Sequence, residues 1–188
     1  MMISTDVERL MPLKARFIRG NVRIAVSLLL LVSFLSGCAV TSTTVMDEEV
    51  VSNEKPMSSF KMFIIKEFEL KRELYTDLPE ARFGERERQY ARIPAQLADQ
   101  IQRYVRSRYI FKEVSRDAVP TAAALVLNGK FTRMGRFRIS VEAVLLDGGN
   151  GQEVAYFRQT LWDVIDTTDG IGKLGREIAD FVARIQYK

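Results

Sequence analysis

Phe137-Arg138-Ile139-Ser140-Val141-Glu142-Ala143-Val144-Leu145 carries the clearest alternation of apolar and polar side chains in the sequence. Because successive side chains of a strand point to opposite faces, the odd-numbered residues from 137 to 145 share one apolar face. This period of two predicts a half-buried antiparallel strand. The residues 147–151 that follow, Asp-Gly-Gly-Asn-Gly, predict a hairpin turn, since Gly and Asn accept the positive φ that tight hairpins require.

Further strands are predicted on both sides of this one. Gln152 to Trp162 supplies the last strand, with Ala155, Phe157, Gln159 and Leu161 on one face. Ala122 to Phe131 contains an unbroken apolar run, which is typical of an interior strand. Phe60 to Leu70 is rich in aromatic and β-branched residues and is predicted as the first strand, near the centre of the sheet. Tyr109 to Val114 is predicted as a short strand.

Two helices complete the pattern. Pro94 is predicted to open the first, because proline is favoured in a first helical turn. Its apolar stripe is Leu97, Ala98, Ile101, Tyr104, Val105 and Tyr109. The second is capped by Thr168 or Asp169, and its small residues Gly172 and Gly175 predict close packing on the sheet.

The order of these elements predicts the fold class. We expect one α/β domain of the α+β type over residues 60–188, with the order β-α-β-β-β-β-α. Its mixed sheet of about four to five strands would carry both helices on one face.

A charged segment interrupts the pattern between Lys71 and Arg92. Its alternating signs fit a solvated loop or a short salt-bridged helix, and a connection this long is often functional or disordered. Two interpretations stay open, a partner-binding segment and a solvated excursion. The candidate partner-binding residues are Arg82, Phe83, Arg86, Arg88 and Tyr90. A second candidate site is a basic patch formed by Arg103, Arg106, Arg108 and Lys112, which could bind anionic lipid or glycan. The alternative is that these cations are there because the helix dipole favours positive charge at a helix C-terminus.

The N-terminal residues 1–37 have the order of an export signal. An apolar core from Ile24 to about Leu35 follows four cations, Lys14, Arg16, Arg19 and Arg23. The core is too short to span a bilayer comfortably, since that needs roughly 20 apolar residues. Translation starting at Met1, Met2 or Met11 is compatible with this signal, and Met11 would give a conventional signal length.

Leu35-Ser36-Gly37-Cys38 resembles the lipobox of bacterial lipoproteins. The resemblance implies cleavage before Cys38, a thioether-linked diacylglycerol and an N-acyl lipid on that residue, and a permanent anchor. Ala39 follows, where an Asp would imply retention at the inner membrane, so we expect an outer-membrane lipoprotein facing the periplasm. The alternatives are an ordinary membrane-anchor helix and a cleaved secretory signal. Residues 38–59 lack a sustained period and are predicted as the lipidated Cys and a flexible tether.

Composition excludes several kinds of function. The whole chain carries a formal charge of +4 and a single Cys, and it has no His. The signal holds five cations and two carboxylates, so the mature chain would be close to neutral, which argues against nucleic acid as a partner. Without His, the commonest general base and metal ligand are missing, and we predict neither a metal site nor a cofactor.

The domain pattern also resembles a group of bacterial lipoproteins. These are the curli-secretion lipoprotein, the lipoprotein activators of peptidoglycan synthases and, beside them, the amino-terminal domain of TolB. The residues that carry the resemblance are Phe63-Ile64-Ile65-Lys66-Glu67-Phe68, Leu97-Ala98-Asp99-Gln100-Ile101, Phe111-Lys112-Glu113-Val114, Leu125-Val126-Leu127-Asn128-Gly129-Lys130, Asp147 and Leu174-Gly175-Arg176-Glu177-Ile178-Ala179. The resemblance implies a role in assembly, secretion or transport.

Three functions are compatible with these observations. The first is a non-enzymatic binding or accessory module for another envelope protein, with a homo-oligomer as one form of it. The second is a small-ligand or lipid carrier, which requires an apolar pocket. The third is an envelope hydrolase that uses paired carboxylates. Its candidates are Glu67, Glu69, Asp147, Glu153, Asp163 and Asp166.

Overall fold

The computed structural model describes residues 43–52, 55–135, 137–164 and 166–186. These residues belong to one compact unit, Thr41–Lys188. The predicted signal, the lipobox and Cys38 lie outside the described residues. The strands are β1 (Thr43–Val51), β2 (Met62–Ile65), β3 (Glu113–Ser115), β4 (Ala124–Met134), β5 (Arg138–Asp147) and β6 (Glu153–Trp162), and the α-helices are α1 (Glu85–Ala91), α2 (Ile93–Ser107) and α3 (Thr167–Gln186).

The strands form one mixed sheet in the order β1-β6-β5-β4-β2-β3. The pairs β1/β6, β6/β5 and β5/β4 are antiparallel, whereas β2 is parallel to both β4 and β3. The α+β class is therefore confirmed. The count of four to five strands was one short, and β2 lies beside the edge strand β3 rather than at the centre.

The extra strand is β1, and it corrects the expectation of a tether over residues 38–59. Residues 43–51 pair antiparallel with β6 from Thr43 opposite Trp162 to Val51 opposite Ala155. The register shifts between Met46 and Glu48, so Asp47 occupies a bulge. A bulge inserts one residue into a strand and breaks its period of two, which is why alternation did not reveal this strand.

The two long helices cover one face of the sheet, and the apolar alternation points towards them. Ile139, Val141, Ala143 and Leu145 are all buried, as expected. Phe137 is 72% exposed, contrary to the expectation that it shares their buried face. It precedes the first residue of β5 at the open end of the sheet, where no helix covers it, and its carbonyl accepts a hydrogen bond from the Asp163 backbone N–H.

The helices begin close to where the sequence predicts. Pro94 lies in the first turn of α2, as predicted. The cap of α3 is Asp166 rather than Thr168 or Asp169, because the Asp166 Oδ1 accepts a hydrogen bond from the Thr168 N–H at 2.7 Å. Tyr109 does not continue the apolar stripe of α2, since it follows the helix with φ at 54° and is 89% exposed.

Gly172 and Gly175, the two glycines of α3 named in the sequence analysis, have different surroundings. A Cβ on Gly175 would lie 2.6 Å from Gln100 Cβ and 3.3 Å from the Ile101 N of α2. Gly175 therefore permits the close approach of α3 to α2, not to the sheet as predicted. A Cβ on Gly172 would meet nothing within 4 Å.

This difference gives a matched pair of substitutions on one helix. Gly175→Ala should lower the free energy of unfolding by about 1–3 kcal/mol, because the added methyl group overpacks the contact with α2. Gly172→Ala should raise it by up to about 1 kcal/mol, because alanine is the better helix former. Urea denaturation of the two variants measures both values, and equal effects of the same sign would contradict the close approach at Gly175.

Candidate functional site

The predicted partner-binding segment between Lys71 and Arg92 is ordered on an aromatic cluster. Two short 3₁₀ turns, Arg72–Leu74 and Glu80–Arg82, precede α1. The Tyr75 ring lies 6.3 Å from the Phe83 ring and 5.7 Å from the Tyr90 ring, measured between centroids. Tyr75 and Tyr90 also pack against the main core. The aromatic residues of this segment therefore attach it to the domain, which corrects the idea of a wholly solvated excursion.

The arginines of this segment are arranged less closely. The Arg86 guanidinium lies 5.5 Å from the Tyr90 ring centroid, which is within the range of a cation–π contact. Arg82 and Arg88 are exposed, and within the described ranges neither forms an ion pair. The structure thus joins Phe83 to Tyr90 through Tyr75, and Arg86 to Tyr90 directly. Whether this surface binds a partner stays a prediction.

One edge of the sheet is closed by side chains of α2. β3 has only three residues, and the carbonyl of its middle residue, Val114, accepts a hydrogen bond from Arg106 at 2.7 Å and another from Gln102 at 3.3 Å. An incoming strand would compete with these bonds. A very short and covered edge of this kind resists pairing with other chains.

The opposite edge is long and exposed. β1 has nine residues, and within the described ranges β6 is its only paired strand. Val45, Val50 and Val51 along it are 40–45% exposed. An edge strand offers a row of backbone N–H and C=O groups to another strand. β1 is therefore the edge at which this domain can accept one.

Side chains on both faces hold β1 in place. On the outer face, away from the helices, the Thr160 hydroxyl donates a hydrogen bond to the bulged Asp47 and lies 2.9 Å from the Ser140 Oγ. On the helix side, Arg184 near the end of α3 forms an ion pair of 2.7 Å with Glu49. β1 is therefore part of the fold, although only one of its edges is paired.

The outer face carries a row of charges across three strands. Glu142 on β5 accepts from Lys130 of β4 at 3.2 Å and from Arg158 of β6 at 2.8 Å. Burial alone would raise the pKa of Glu142, but the two cations outweigh it and lower the pKa below its ordinary value. The carboxylate is therefore held in its charged form.

The proposed hydrolase carboxylates are mostly separated. Asp147 and Glu153 do line one open cleft of about 420 Å³ together with Lys55. Asp147 is nevertheless engaged, since it lies 3.0 Å from the Lys55 Nζ and accepts from the Gly149 N–H at 2.8 Å. Burial raises the pKa of Asp147, and these two hydrogen bonds bring it below its ordinary value. A general acid needs the opposite shift.

The remaining candidate carboxylates have structural or exposed positions. Glu67 pairs with Arg116 at 3.6 Å, and Asp166 caps α3. Glu69 and Asp163 are exposed. Among the described residues no cluster of three or more carboxylates, His or Cys is placed to hold a metal ion.

The candidate basic patch is divided among separate contacts. Arg106 bonds to Val114, and Arg108 forms an ion pair with Asp180 of α3. Arg103 instead lies 4.9 Å from the Tyr104 ring centroid, and Arg176 of α3 lies 5.3 Å from the same centroid. Hydrogen bonds from Arg176 and Arg103 lower the pKa of Tyr104. Arg108 and Tyr104 thus join the end of α2 to α3, Arg106 joins α2 to β3, and Lys112 is exposed beyond the helix.

Comparisons with known proteins give a limited result. No family model matches the chain, and no curated protein matches it significantly. Two structures of a PelC dodecamer from Paraburkholderia phytofirmans are similar at 14% identity. The structure of a point variant has a TM-score of 0.48, over 76% of this chain and 97% of that chain, and the other structure has a TM-score of 0.47, over 78% and 98%. A Xanthomonas campestris protein of the family model DUF330 is similar at 12% identity with a TM-score of 0.46, over 72% of this chain and 91% of that chain. Likenesses of this size assign neither function nor assembly.

Two predictions from the sequence stay predictions. The resemblance to the curli-secretion lipoprotein and its relatives is not tested by these findings. The same holds for the anchor at Cys38. Among the helices of the described residues, none combines the length and the apolar run that a membrane crossing requires.

The charge row yields a prediction for pH dependence. Because the folded-state pKa of Glu142 is lowered, its contribution to stability is present above the ordinary Glu pKa of about 4.3 and is lost as the pH falls through the folded value. Glu142→Gln should therefore unfold at lower urea concentration than wild type at pH 7, with a difference that disappears in acid. Glu80→Gln, at an exposed position, serves as the control. A difference that persists unchanged at pH 3 would contradict this assignment.

Proposed function

We propose that this chain is a lipoprotein anchored through acyl chains on Cys38 to the periplasmic face of the outer membrane, and that its domain is a non-enzymatic binding module. Its partner would be another envelope protein that adds a strand along β1. The observation that carries the proposal is the open nine-residue edge of β1, which starts five residues after Cys38.

The contrast between the two edges supports this site. The β3 edge is three residues long and its Val114 carbonyl is occupied by Arg106 and Gln102. The β1 edge is three times as long and its exposed valines are accessible. Backbone hydrogen bonds would supply affinity to an added strand, and the side chains on either side of the edge would supply specificity.

The position of the edge supports an anchored module. Only residues 39–42 separate Cys38 from β1, so an anchor at Cys38 would confine the edge to the neighbourhood of the membrane. A partner embedded in the same membrane would meet it at a raised effective concentration. The two or more acyl chains implied by the lipobox would keep that arrangement stable.

The other two functions have less support. The hydrolase is favoured by the common cleft of Asp147 and Glu153 but opposed by the engagement of the Asp147 carboxylate with Lys55 and the Gly149 N–H. The carrier would need an apolar chamber, and in the described part of the chain the layer between helices and sheet is filled by fully buried side chains such as Leu97, Phe157 and Phe181. The clefts found there open to solvent.

Photo-crosslinking in cells tests the binding edge. A photoreactive phenylalanine derivative placed at Val50, on β1, should give an adduct with a different envelope protein after irradiation. The same group at Val119, which is 79% exposed but lies in the loop before β4, should not. An adduct made of two copies of this chain would replace the proposed partner by a homo-oligomer. No adduct at Val50 or Val45, in cells where the anchor is intact, would contradict the proposal.

The anchor has its own test. Intact mass spectrometry of the protein from membranes should show loss of residues 1–37 and the addition of a diacylglycerol and a third acyl chain on Cys38. Cys38→Ser should abolish both and release the domain from the outer-membrane fraction. A wild-type protein with an unmodified Cys38 would contradict the lipoprotein assignment.

A further inference from the structure

The register of the sheet fixes which end of the domain lies nearest to Cys38. Five residues of chain lead from Cys38 to Thr43, and fully extended they reach at most about 18 Å. Thr43 is opposite Trp162 on β6, and Trp162 is opposite Arg138 on β5. The start of β1 must therefore stay within that distance of the anchored residue, and the end of β6 and the start of β5 lie one and two strand spacings of about 4.8 Å from it at the same end of the sheet.

This end exposes two large aromatic side chains. Phe137 is 72% exposed and Trp162 is 41% exposed. Tryptophan is enriched at the boundary between lipid headgroups and acyl chains, where an apolar ring with a polar N–H is best accommodated. In water, the exposed apolar area of these rings stays hydrated. At a lipid boundary it would be buried.

Cations accompany the aromatic residues. The Arg138 guanidinium lies 4.4 Å from the Trp162 ring centroid, and Arg133 is exposed on the last part of β4. Phe137, Arg133 and Arg138 border an open cleft of about 410 Å³ that also includes Glu73, with Leu74 and Met134 among its lining. An apolar lining bordered by arginines suits a phospholipid, whose phosphate the cations attract and whose glycerol and upper acyl region is apolar.

Acidic residues mark the limit of this surface. Asp163 follows Trp162 and donates its backbone N–H to the Phe137 carbonyl, while Asp166 and Asp169 lead into α3, which covers the other face of the sheet. An anionic or zwitterionic lipid surface does not favour contact with these carboxylates. The contact is therefore expected on the outer-face side of this end, where Arg133, Arg138 and Trp162 lie.

The opposite end of the sheet is too far away to compete. It exposes Tyr109, which follows α2, and Val119, which precedes β4. The ten residues of β5 separate the two ends by about 30 Å at a rise of about 3.3 Å per residue. If that end lay on the membrane, the start of β1 would be about 30 Å above the membrane. The connection to Cys38 reaches at most about 18 Å, so it could not span that distance.

We infer that Phe137, Arg138 and Trp162, with Arg133, form a membrane-contact surface that rests on the phospholipid leaflet carrying the Cys38 anchor. The inference rests on the lipid anchor of the proposed function. It adds an orientation: β5 and β6 stand on the membrane with this end down, and Tyr109 points away from it.

The single tryptophan of the sequence makes this measurable. The mature lipidated protein, purified from membranes, is reconstituted into phosphatidylethanolamine/phosphatidylglycerol vesicles that contain lipids brominated high on the acyl chain. Trp162 emission should shift to shorter wavelength and be quenched. The control is Trp162→Phe combined with Tyr109→Trp, which moves the reporter to the far end, and its quenching should be weaker by about two-fold or more, because interfacial insertion reaches only about 5–10 Å.

The outcomes separate the inference from the anchor. Intact mass and vesicle flotation are read first, and a protein without acyl chains on Cys38 would overturn both proposals. An acylated protein that floats with the vesicles while Trp162 stays unquenched would overturn the membrane contact alone. Equal quenching of the reporters at 162 and 109 would overturn it as well. So would a blue shift that depends on protein concentration in detergent and not on brominated lipid, since that would assign the surface to a second copy.

Discussion

One-sided coverage of the sheet is the constraint on which the rest of the structure depends. Two long helices, α2 and α3, pack on the same face of the sheet. The six strands must therefore bury apolar side chains on that face, and the side chains on the opposite face must be compatible with having no helix over them. On β5 the residues Val141 and Ala143 are buried against the helices, while Ser140 and Glu142 lie on the opposite face, where Ser140 is also buried and Glu142 is partly exposed. Sheets of this kind, packed on one side and solvated on the other, show a clean alternation.

The outer face meets this constraint with polar contacts between neighbouring strands. Ser140, Thr160 and Asp47 form a hydrogen-bonded row, and Lys130, Glu142 and Arg158 form an ionic one. The exception is a small second cluster of Ile64, Ala124 and Val126, against which Ala118 from the loop before β4 packs. Cross-strand pairs of this type stabilise a sheet where no second layer covers it.

Much of the fold could be predicted from the sequence because local periods reflect this coverage. The prediction that Phe157 and Gln159 share one face of β6 was correct, and so was the prediction that α2 begins near Pro94. The prediction that Phe137 is buried was wrong, because alternation gives the face on which a residue lies but not the point at which the covering helices end. β1 was missed, because the Asp47 bulge and a run of three acids hid five β-branched residues that favour a strand.

The candidate site was less predictable, because edges are properties of strand order. Nothing local to Val114 indicates that Arg106 and Gln102 cover it, and nothing local to β1 indicates that its neighbour is β6. The aromatic residues between Lys71 and Arg92 were visible, but their packing on Tyr75 and the core depends on tertiary contacts.

The pairing of β1 with β6 also has a consequence for the order of folding. Asp47 and Thr160, which join the two strands, are 113 residues apart in the chain. Contacts this remote in sequence form slowly, because the intervening chain must lose its freedom before they contribute. Among the described strands β1 is the first to be synthesised, and it cannot complete its ladder until β6 is available. The N-terminal strand therefore waits, unpaired on both edges, for nearly the whole of the chain to emerge.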